Sequence, residues 1–202
     1  MNNNNETNYD EYNYIDTIIS KLDTIEDNEL KDLIIKLIEE RNHLITVSNI
    51  DPLTGVYNRR IISHIRDFTS VAVCDADDFK QINDTLGHAA GDMVLQEIAK
   101  TLIENSRSND YVCRYGGDEF LVIFCGADKN IVKKRMNDVV QSISNQTNFP
   151  NYDITISVGI SSYKEGDTLE SVINEADQAL YVSKQSGKNA INCYDELSVK
   201  SL

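Results

Sequence analysis

The chain has 202 residues, with 19 Lys and Arg against 33 Asp and Glu, so its formal net charge at pH 7 is −14. Such an acidic protein repels a phosphate backbone at long range, which argues against the binding of a nucleic-acid polymer through counterion release. A single nucleotide is compatible with this charge where metal ions screen it. The hydrophobic fraction of 41% supplies enough apolar material for a folded core.

The cysteines and the N-terminus indicate the compartment. The four cysteines include no CxxC pair and lie partly in apolar, strand-like runs, which is typical of free thiols in a reducing environment. The N-terminal residues have neither the basic nor the apolar region of a secretory signal, and no run approaches about 18 consecutive apolar residues. We therefore expect a soluble, cytoplasmic protein that does not engage a membrane.

The N-terminal part predicts a polar tail followed by a helix. Residues 1–10 are rich in Asn and carry little to bury, so we expect them to form a disordered tail. Over residues 12–25, apolar side chains recur at spacings of three and four, which predicts an amphipathic helix. These apolar positions are Ile15, Ile18, Leu22 and Ile25.

A second helix is predicted to follow the polar residues 26–28, where Asp27 or Asn28 can cap it, and to end at about Ser48. Its apolar stripe comprises Leu30, Ile34, Leu37 and Leu44. Two short helices cannot bury their apolar faces alone. Residues 11–49 therefore either pack on each other and on the rest of the chain, or form a stalk that dimerises two copies.

The helical pattern breaks at Asp51-Pro52, and beyond this point helical and strand-like segments alternate. Helices are predicted over about residues 56–67, 88–105, 129–145 and 168–186, and strands over about 70–75, 111–115, 119–125, 153–161 and 189–193. The Gly116-Gly117 pair predicts a tight hairpin turn between two of these strands. We expect an α/β fold of the α+β type, in which helices pack on a mainly antiparallel central sheet.

Acidic residues cluster at the ends of two predicted strands. Residues 75–78, Asp-Ala-Asp-Asp, follow an apolar strand, and Asp118 and Glu119 follow the Gly-Gly turn. Taken alone, an acidic cluster at a strand end is more often a solvated turn than a metal site. If the two strands are neighbours, Asp75 and Asp118 converge and can hold hard divalent cations, and two such ions suit phosphoryl transfer. The sequence contains no EF-hand loop, no GxxxxGK(S/T) phosphate loop and no GxGxxG fingerprint.

Three motifs occur in a characteristic order and spacing. They are Asp51-Pro-Leu-Thr-Gly-Val-Tyr-Asn-Arg-Arg60, the segment from Asp75 to Asp92, and Gly116-Gly-Asp-Glu-Phe120. Together they resemble the GGDEF-domain diguanylate cyclase family over about residues 50–195. The resemblance implies a fold related to nucleotidyl cyclases and polymerase palms, and it leaves residues 196–202 as a C-terminal tail.

The resemblance also implies an activity, which belongs to bacterial second-messenger signalling. Members of the family condense two GTP molecules into cyclic di-GMP and release two pyrophosphates. Each protomer holds one GTP, so we expect a homodimer whose two half-sites face each other. Two alternatives are a binding module that reads nucleotide or cyclic di-GMP without turnover, and an interaction protein whose helices before Asp51 recruit a partner.

The family's pattern implies a metal and catalytic set. Asp75, the backbone carbonyl of Ala76 and Asp118 are implied to bind Mg²⁺, with Glu119 as a further metal carboxylate. Two ions per site are implied, with Mn²⁺ as a substitute. Asp118 is also the implied base for the 3′-hydroxyl group. Lys80 matches the family's lysine that faces the phosphates and stabilises charge on the leaving pyrophosphate, although it is also typical of a solvated lysine at a helix start.

The substrate-binding residues are implied by the same motifs. Asn83 and Asp92 match the guanine readers, and a carboxylate at position 92 can accept hydrogen bonds from N1–H and the 2-amino group. Adenine lacks both donors, so Asp92 favours GTP over ATP. His88 is implied to lie close to the substrate, with a hydrogen bond at a helix start as the alternative. Lys184 and Lys188 match the family's cationic contacts to the terminal phosphates.

A product-inhibition site is implied by Arg107-Ser-Asn-Asp110, which matches the family's Arg-x-x-Asp sequence before the hairpin. A guanidinium group at position 107 can form two hydrogen bonds to a phosphate or to guanine. The alternative is an ordinary turn at a helix end. Lys133, Lys134 and Arg135 are the candidates for the further basic residues that such a site needs.

Overall fold

The computed structural model of the protein describes residues 17–145 and 153–197. The chain divides into two compact units between Ile50 and Asp51, where the sequence pattern breaks. Within the described ranges, no helix is both long enough and apolar enough to span a bilayer. The predicted tail at residues 1–10 lies outside these ranges. Of the predicted C-terminal tail, residues 196 and 197 are described, and both are helical.

The first unit is helical, as the spacing of its apolar residues predicts. Residues 17–21 are helical, a 3-10 helix follows at Leu22–Thr24, and helix α1 spans Asn28–Ser48. Asp27 caps α1, because its carboxylate accepts a hydrogen bond from the Leu30 N–H at 3.1 Å. An ion pair of 3.1 Å joins Lys31 of α1 to Asp23.

The apolar residues of α1 whose side chains the structure describes divide between two faces. The stripe predicted from the sequence includes residues of both faces, because Ile34 is half-buried whereas the other three residues of the stripe are exposed. The exposed residues are Leu30, Leu33, Leu37 and Leu44. The half-buried ones are Ile34, Ile35 and Ile38.

The second unit is built on a six-stranded mixed sheet. Its strands are β1 (Tyr57–Asn58), β2 (Ser70–Ala76), β3 (Tyr111–Arg114), β4 (Glu119–Phe124), β5 (Ile156–Ser162) and β6 (Ile191–Cys193). Their order across the sheet is β1-β3-β4-β2-β5-β6. The three central pairings are antiparallel, and the two edge pairings, β1 with β3 and β5 with β6, are parallel. The prediction of a mainly antiparallel sheet flanked by helices is therefore confirmed.

Helices cover the sheet on both faces. They are a 3-10 helix (Arg59–His64) and α2 (Phe79–Leu86), α3 (His88–Glu104), α4 (Lys129–Ser144), α5 (Leu169–Gln185) and α6 (Tyr194–Leu197). Strand β2 is buried along its whole length, because its alternate side chains enter two separate cores. Ala72 packs in the core that includes Ile98 of α3, and Val73 in the core that includes Leu180 of α5.

Helix α5 lies unusually close to the sheet at Gly159 of β5. A Cβ atom at this position would overlap the backbone carbonyl of Ala176 and the backbone nitrogen of Leu180. Only glycine permits this approach. Helix α5 is thereby fixed on β5, and its last turn reaches the end of the sheet where the acidic segments lie.

The structure corrects two sequence predictions. The helix predicted over 56–67 is wrong: Tyr57 pairs with Cys113 in the sheet, and the Asn58 side chain accepts a hydrogen bond from Arg60 N–H and begins a 3-10 helix instead. Helix α2 was not among the predicted helices, although Lys80 was considered as a lysine at a helix start; it is only eight residues long, and Ile82 is its one buried residue. The other predicted strands and helices occur with their ends shifted by a few residues, and the start of the helix predicted over residues 12–25 lies outside the described residues.

Candidate active site

The two acidic segments meet at the end of strand β2. Asp75 lies opposite Glu119 in the antiparallel pairing of β2 with β4. One residue further along, the Ala76 N–H donates a hydrogen bond of 3.2 Å to the backbone carbonyl of Asp118. Strand pairing therefore brings together the four residues that the sequence assigns to the metal site.

The hairpin turn that carries Asp118 contains two adjacent glycines. The N–H groups of Tyr115 and Gly116 both donate to the Glu119 carbonyl, at 2.8 and 3.2 Å. A Cβ atom at Gly116 would overlap the Glu119 carboxylate, whereas Gly117 has open space around it. Gly116 lets the turn lie close against Glu119, although a Cβ atom there would displace only the flexible end of that side chain.

Arg114 holds the same turn from its other side, a role that the sequence analysis missed. Its Nε and Nη2 atoms donate to the Gly117 carbonyl at 3.1 and 2.7 Å, and its Nη1 lies 3.2 Å from a carboxylate oxygen of Asp51. Burial tends to raise the pKa of Asp51, but hydrogen bonds from Thr54 and the charge of Arg114 outweigh it and hold that pKa below its ordinary value. Arg114 thus joins the turn to the segment that opens the second unit.

Asp75 is buried and pairs with a cation. Its carboxylate lies 2.7 Å from the Nζ atom of Lys184, which is on the last turn of α5. Burial raises the pKa of Asp75 to about 6 against the opposing effect of Lys184, and the negative charges of Asp118 and Glu119 add to the rise. The three carboxylates therefore share one electrostatic neighbourhood.

This donor set fits a hard divalent cation. Carboxylate and carbonyl oxygens are the ligands that Mg²⁺ prefers, and the ammonium group of Lys184 shows that a cation is accommodated at Asp75. Over residues 17–145 and 153–197, no three His, Cys, Asp or Glu side chains lie close enough together to enclose a metal ion. In this structure the Asp75 carboxylate pairs with Lys184 instead.

The neighbouring aspartates are in different surroundings. Asp77 is buried and its carboxylate accepts three hydrogen bonds, from the Thr155 and Ser157 hydroxyls and the Asn189 N–H. Asp78 is exposed, and one of its oxygens lies 2.6 Å from the Nζ atom of Lys188. Asp77 is thus occupied by protein donors, whereas Asp75 pairs with Glu119 beside the hairpin turn.

The residues predicted to read guanine lie on α2 and α3. A Cβ atom at Gly91 of α3 would overlap the Asn83 side chain, so the absence of this atom lets α3 pack closely on Asn83. His88 opens α3 and Asp92 follows one turn later, and both are exposed. Asn83 is half-buried and therefore lies against the helical turn that carries Asp92.

The Arg107–Asp110 segment forms a tight turn between α3 and β3. The Asp110 side chain is fully buried and accepts hydrogen bonds from the backbone N–H groups of Arg107 and Cys125 at 2.8 and 3.1 Å. Nη1 of Arg135 completes its coordination at 3.0 Å. Among the basic candidates, Arg135 is therefore the one that meets Asp110, whereas Lys133 pairs with Glu196. The Arg107 side chain is exposed.

Comparisons with known proteins identify the family to which this chain is similar. Residues 48–190 match the family model described as diguanylate cyclase, GGDEF domain. Diguanylate cyclase A of Treponema denticola is 39% identical over 130 residues, which cover 62% of this chain and 35% of the relative. The response regulator PleD of Caulobacter vibrioides is 37% identical over 169 residues, which cover 74% of this chain and 37% of the relative. The chain spans just over a third of the length of these two relatives.

A solved structure gives the same result for the fold. The crystal structure of the GGDEF domain of DgcB from Caulobacter crescentus, in complex with c-di-GMP, is similar with a TM-score of 0.69 and 30% sequence identity. The similarity covers 73% of this chain and 96% of that domain. Because the family model matches well over half of the residues and includes the whole of the site described above, the chain belongs to the GGDEF-domain diguanylate cyclase family.

Proposed function

We propose that this protein is a diguanylate cyclase, which condenses two GTP molecules into cyclic di-GMP and releases two pyrophosphates. The observation that carries the proposal is the meeting of the buried Asp75 with the Gly116–Phe120 turn, beside the ammonium group of Lys184. Carboxylates that can hold metal ions and lysines that can bind phosphates lie together at one end of the sheet. A nucleoside triphosphate needs both.

The proposal gives the acidic and basic side chains separate tasks. Asp118 accepts the proton of the attacking 3′-hydroxyl group, because it lies on the turn beside Asp75 and is half-exposed. Lys80 is exposed at the start of α2 and faces the phosphates, as do Lys184 and Lys188. Lys184 exchanges its contact with Asp75 for phosphate oxygens when substrate binds. Cations so placed stabilise the negative charge that moves toward the leaving pyrophosphate.

We propose Mg²⁺ as the metal, two ions per site, with Mn²⁺ as a substitute. Asp75, the carbonyl of Ala76, Asp118 and Glu119 would hold it. When bound, the metal lowers the pKa of the ribose hydroxyl group and neutralises charge on the α-phosphate. The raised pKa of Asp75 supports this assignment, because a carboxylate that is partly buried and also repelled by Asp118 and Glu119 is stabilised by a nearby cation.

GTP is the proposed substrate. Asn83 and Asp92 pair with the guanine edge, and the close contact of α2 with α3 at Gly91 places the two residues on adjoining turns. An adenine base lacks the N1–H and 2-amino donors and would leave the Asp92 carboxylate without these two partners in the complex. His88 opens the helix that carries Asp92 and lies on the same exposed rim as a further substrate contact.

A homodimer is proposed because the reaction joins two GTP molecules, and each protomer binds one. The exposed leucines of α1 support it. They follow spacings of three, four and seven residues, which is the heptad pattern of a coiled coil, and their exposed fractions are between 49% and 67%. A second copy of the same helix covers such a stripe. Of the two uses of residues 11–49, this favours dimerisation.

Product inhibition is proposed at the turn that Asp110 organises. The Arg107 side chain is exposed, while its backbone N–H is fixed by Asp110, so a guanidinium group is presented from a rigid turn. Cyclic di-GMP offers phosphate and guanine acceptors for such a group. Asp110 itself acts by shaping the turn, because its oxygens are taken by Arg107, Cys125 and Arg135.

The proposal is tested by incubating the full chain with Mg²⁺ and GTP, ATP or both, and identifying products by mass spectrometry. We expect cyclic di-GMP from GTP alone, and a loss of at least roughly a hundredfold in rate for Asp118→Asn. Asp177→Asn, the same change at an exposed position of α5, is the matched control and should keep full activity. An adenine-containing product would contradict the role of Asp92. The absence of any product, with cyclic di-GMP still bound, would favour the binding module.

The homodimer has its own test. The double variant Leu33→Ser/Leu37→Ser should lower the mass measured by light scattering toward that of a monomer. Asp32→Ser/Lys36→Ser has the same spacing on the same helix, leaves the net charge unchanged and should remain dimeric. A wild-type protein that is monomeric at micromolar concentration and yet fully active would overturn the proposed assembly.

A further inference from the structure

Two loops at the active-site end of the sheet hold all the left-handed non-glycine residues found in the described parts of the chain. These residues are Asp78, Lys188 and Asn189, with φ angles of 55°, 65° and 44°. Gly187 precedes the last two with a φ of 109°, so residues 187–189 form a run of three positive φ angles. Such a run is unfavourable for side-chain-bearing residues and persists only where surrounding contacts impose it.

Asp77 holds the Asn189 end of this run, while the Lys188 N–H donates to the Ser183 carbonyl at the end of α5, at 3.2 Å. The Asp77 side chain is 5% exposed, and one of its oxygens accepts the Asn189 N–H at 3.0 Å. The same oxygen accepts the Thr155 hydroxyl at 2.8 Å, and the other oxygen accepts the Ser157 hydroxyl at 2.7 Å. Asp77 therefore joins three parts of the fold, namely the end of β2, the start of β5 and the loop between α5 and β6.

We propose that Asp77 is a positioning residue, which acts by holding the left-handed turn at residues 187–189 so that Lys188 is presented to the terminal phosphates of GTP. The inference rests on the proposed function. Lys188 directly precedes the residue that Asp77 binds, and its ammonium group reaches the segment after β2, where it lies 2.6 Å from Asp78. A turn that relaxed to negative φ angles would carry this lysine away from the site.

Asp77 differs from the aspartates on either side of it in how it contributes. Both of its oxygens are already occupied, so it does not need to touch the substrate or a metal ion to affect the reaction. Its influence passes through the backbone of Asn189 to Lys188. The effect of removing it should therefore fall on the binding of the terminal phosphates rather than on the guanine or ribose.

The test uses the full chain and compares the binding of a non-reacting GTP analogue with that of GMP in the presence of Mg²⁺, by calorimetry. For Asp77→Ala we expect roughly tenfold weaker binding of the analogue and a KM for GTP raised by roughly the same factor, with GMP affinity changed by less than about twofold. GMP lacks the phosphates that Lys188 is proposed to contact. Turnover at saturating GTP should fall less than the affinity does.

Three further variants make the test specific. Asp77→Asn keeps an oxygen for Asn189 and lets the Ser157 hydroxyl accept, so it should bind the analogue within about twofold of wild type. Ser157→Ala removes only the hydrogen bond to the other oxygen of Asp77. It should lower the stability of the fold without changing the affinity for the GTP analogue relative to that for GMP. Asn189→Gly, added to Asp77→Ala, should restore part of the affinity, because glycine takes positive φ angles without steric cost.

The outcomes separate this inference from the proposed function. Equal losses for the GTP analogue and GMP in Asp77→Ala, or unchanged affinity for both, would overturn the positioning role. If Asp77→Ala does not fold, Asp77→Ser places a hydroxyl group about one bond short of Asn189 and is expected to show the same difference between the two ligands. A wild-type protein that makes no cyclic di-GMP from GTP would instead overturn the cyclase assignment.

Discussion

Asp77 and Asp110 are two buried carboxylates that each hold a loop by accepting backbone N–H groups, but their remaining partners differ. Asp77 accepts its other bonds from the neutral hydroxyls of Thr155 and Ser157. Asp110 binds the guanidinium group of Arg135, whose side chain is only 16% exposed. One carboxylate is held by neutral donors and the other by a nearly buried ion pair.

The difference in partners indicates what each aspartate contributes to the stability of the fold and to the position of its loop. Removing Asp110 leaves a cation nearly buried without its partner, which is among the costlier changes inside a protein. Removing Asp77 leaves two hydroxyl groups that can turn to other acceptors and one N–H group without a partner. We therefore expect Asp110 to matter most for the stability of the fold, and Asp77 most for the position of the loop that carries Lys188.

The largest expected effect is on stability. Asp110→Ala should lower the free energy of unfolding by about 3–5 kcal/mol, because Arg135 then lacks a partner. Asp77→Ala should lower it by about 1–3 kcal/mol, since its donors are neutral. Urea unfolding followed by circular dichroism measures both. Equal losses in the two variants would remove the distinction between them.

A matched variant tests the cause. Arg135→Met combined with Asp110→Ala removes the unpaired cation and should recover part of the lost stability, because a buried ion pair is often replaceable by apolar groups. No recovery would show that the hydrogen bonds of Asp110 to Arg107 and Cys125, rather than the ion pair, carry the effect.

A smaller effect on stability is expected for Asp51, whose carboxylate pairs with the guanidinium group of Arg114. The Asp51 side chain is less buried than that of Asp110. Its pKa in the folded protein lies below the ordinary value of 3.8. Its contribution to stability is therefore fully present above that value and is lost as the pH falls through the folded pKa. Below about pH 4, wild type should lose unfolding free energy more steeply than Asp51→Asn, as measured by urea unfolding at successive pH values. Parallel curves would contradict this reading of the ion pair.

The smallest effect on stability is expected for Arg107, even though it belongs to the same turn as Asp110. Its side chain is exposed and its backbone N–H survives substitution, so Arg107→Ala should change the unfolding free energy by less than about 0.5 kcal/mol. The concentration of cyclic di-GMP that halves activity should nevertheless rise by roughly tenfold or more. Ser108→Ala, at the exposed neighbouring position, is the control. Unchanged inhibition in Arg107→Ala would place the inhibitory site elsewhere.

Much of the fold is predictable from local pattern. The apolar run at residues 71–74 and the Gly-Gly pair predict a buried strand and a hairpin, and both occur. Prediction was wrong over 56–67, because a two-residue strand and a 3-10 helix carry no periodic signal, and the pairing of Tyr57 with Cys113 depends on a residue far along the chain. Helix α2 was missed because of its length: its apolar residues Phe79, Ile82 and Leu86 fall on one face, but eight residues are too few to show a helical period clearly.

The sequence by itself determined the family, the sheet with its flanking helices and the two acidic segments of the site, because these depend on residue type, order and spacing. The family resemblance singled out Asp75 as a metal ligand, but residue type and spacing gave no protein partner for any of the aspartates at positions 75, 77 and 78. Only the tertiary structure shows that Asp75 forms an ion pair with Lys184 and that Asp77 accepts a hydrogen bond from the Asn189 N–H. The partners of Asp77 lie between 78 and 112 positions away, and local sequence carries no information about groups that only folding brings together.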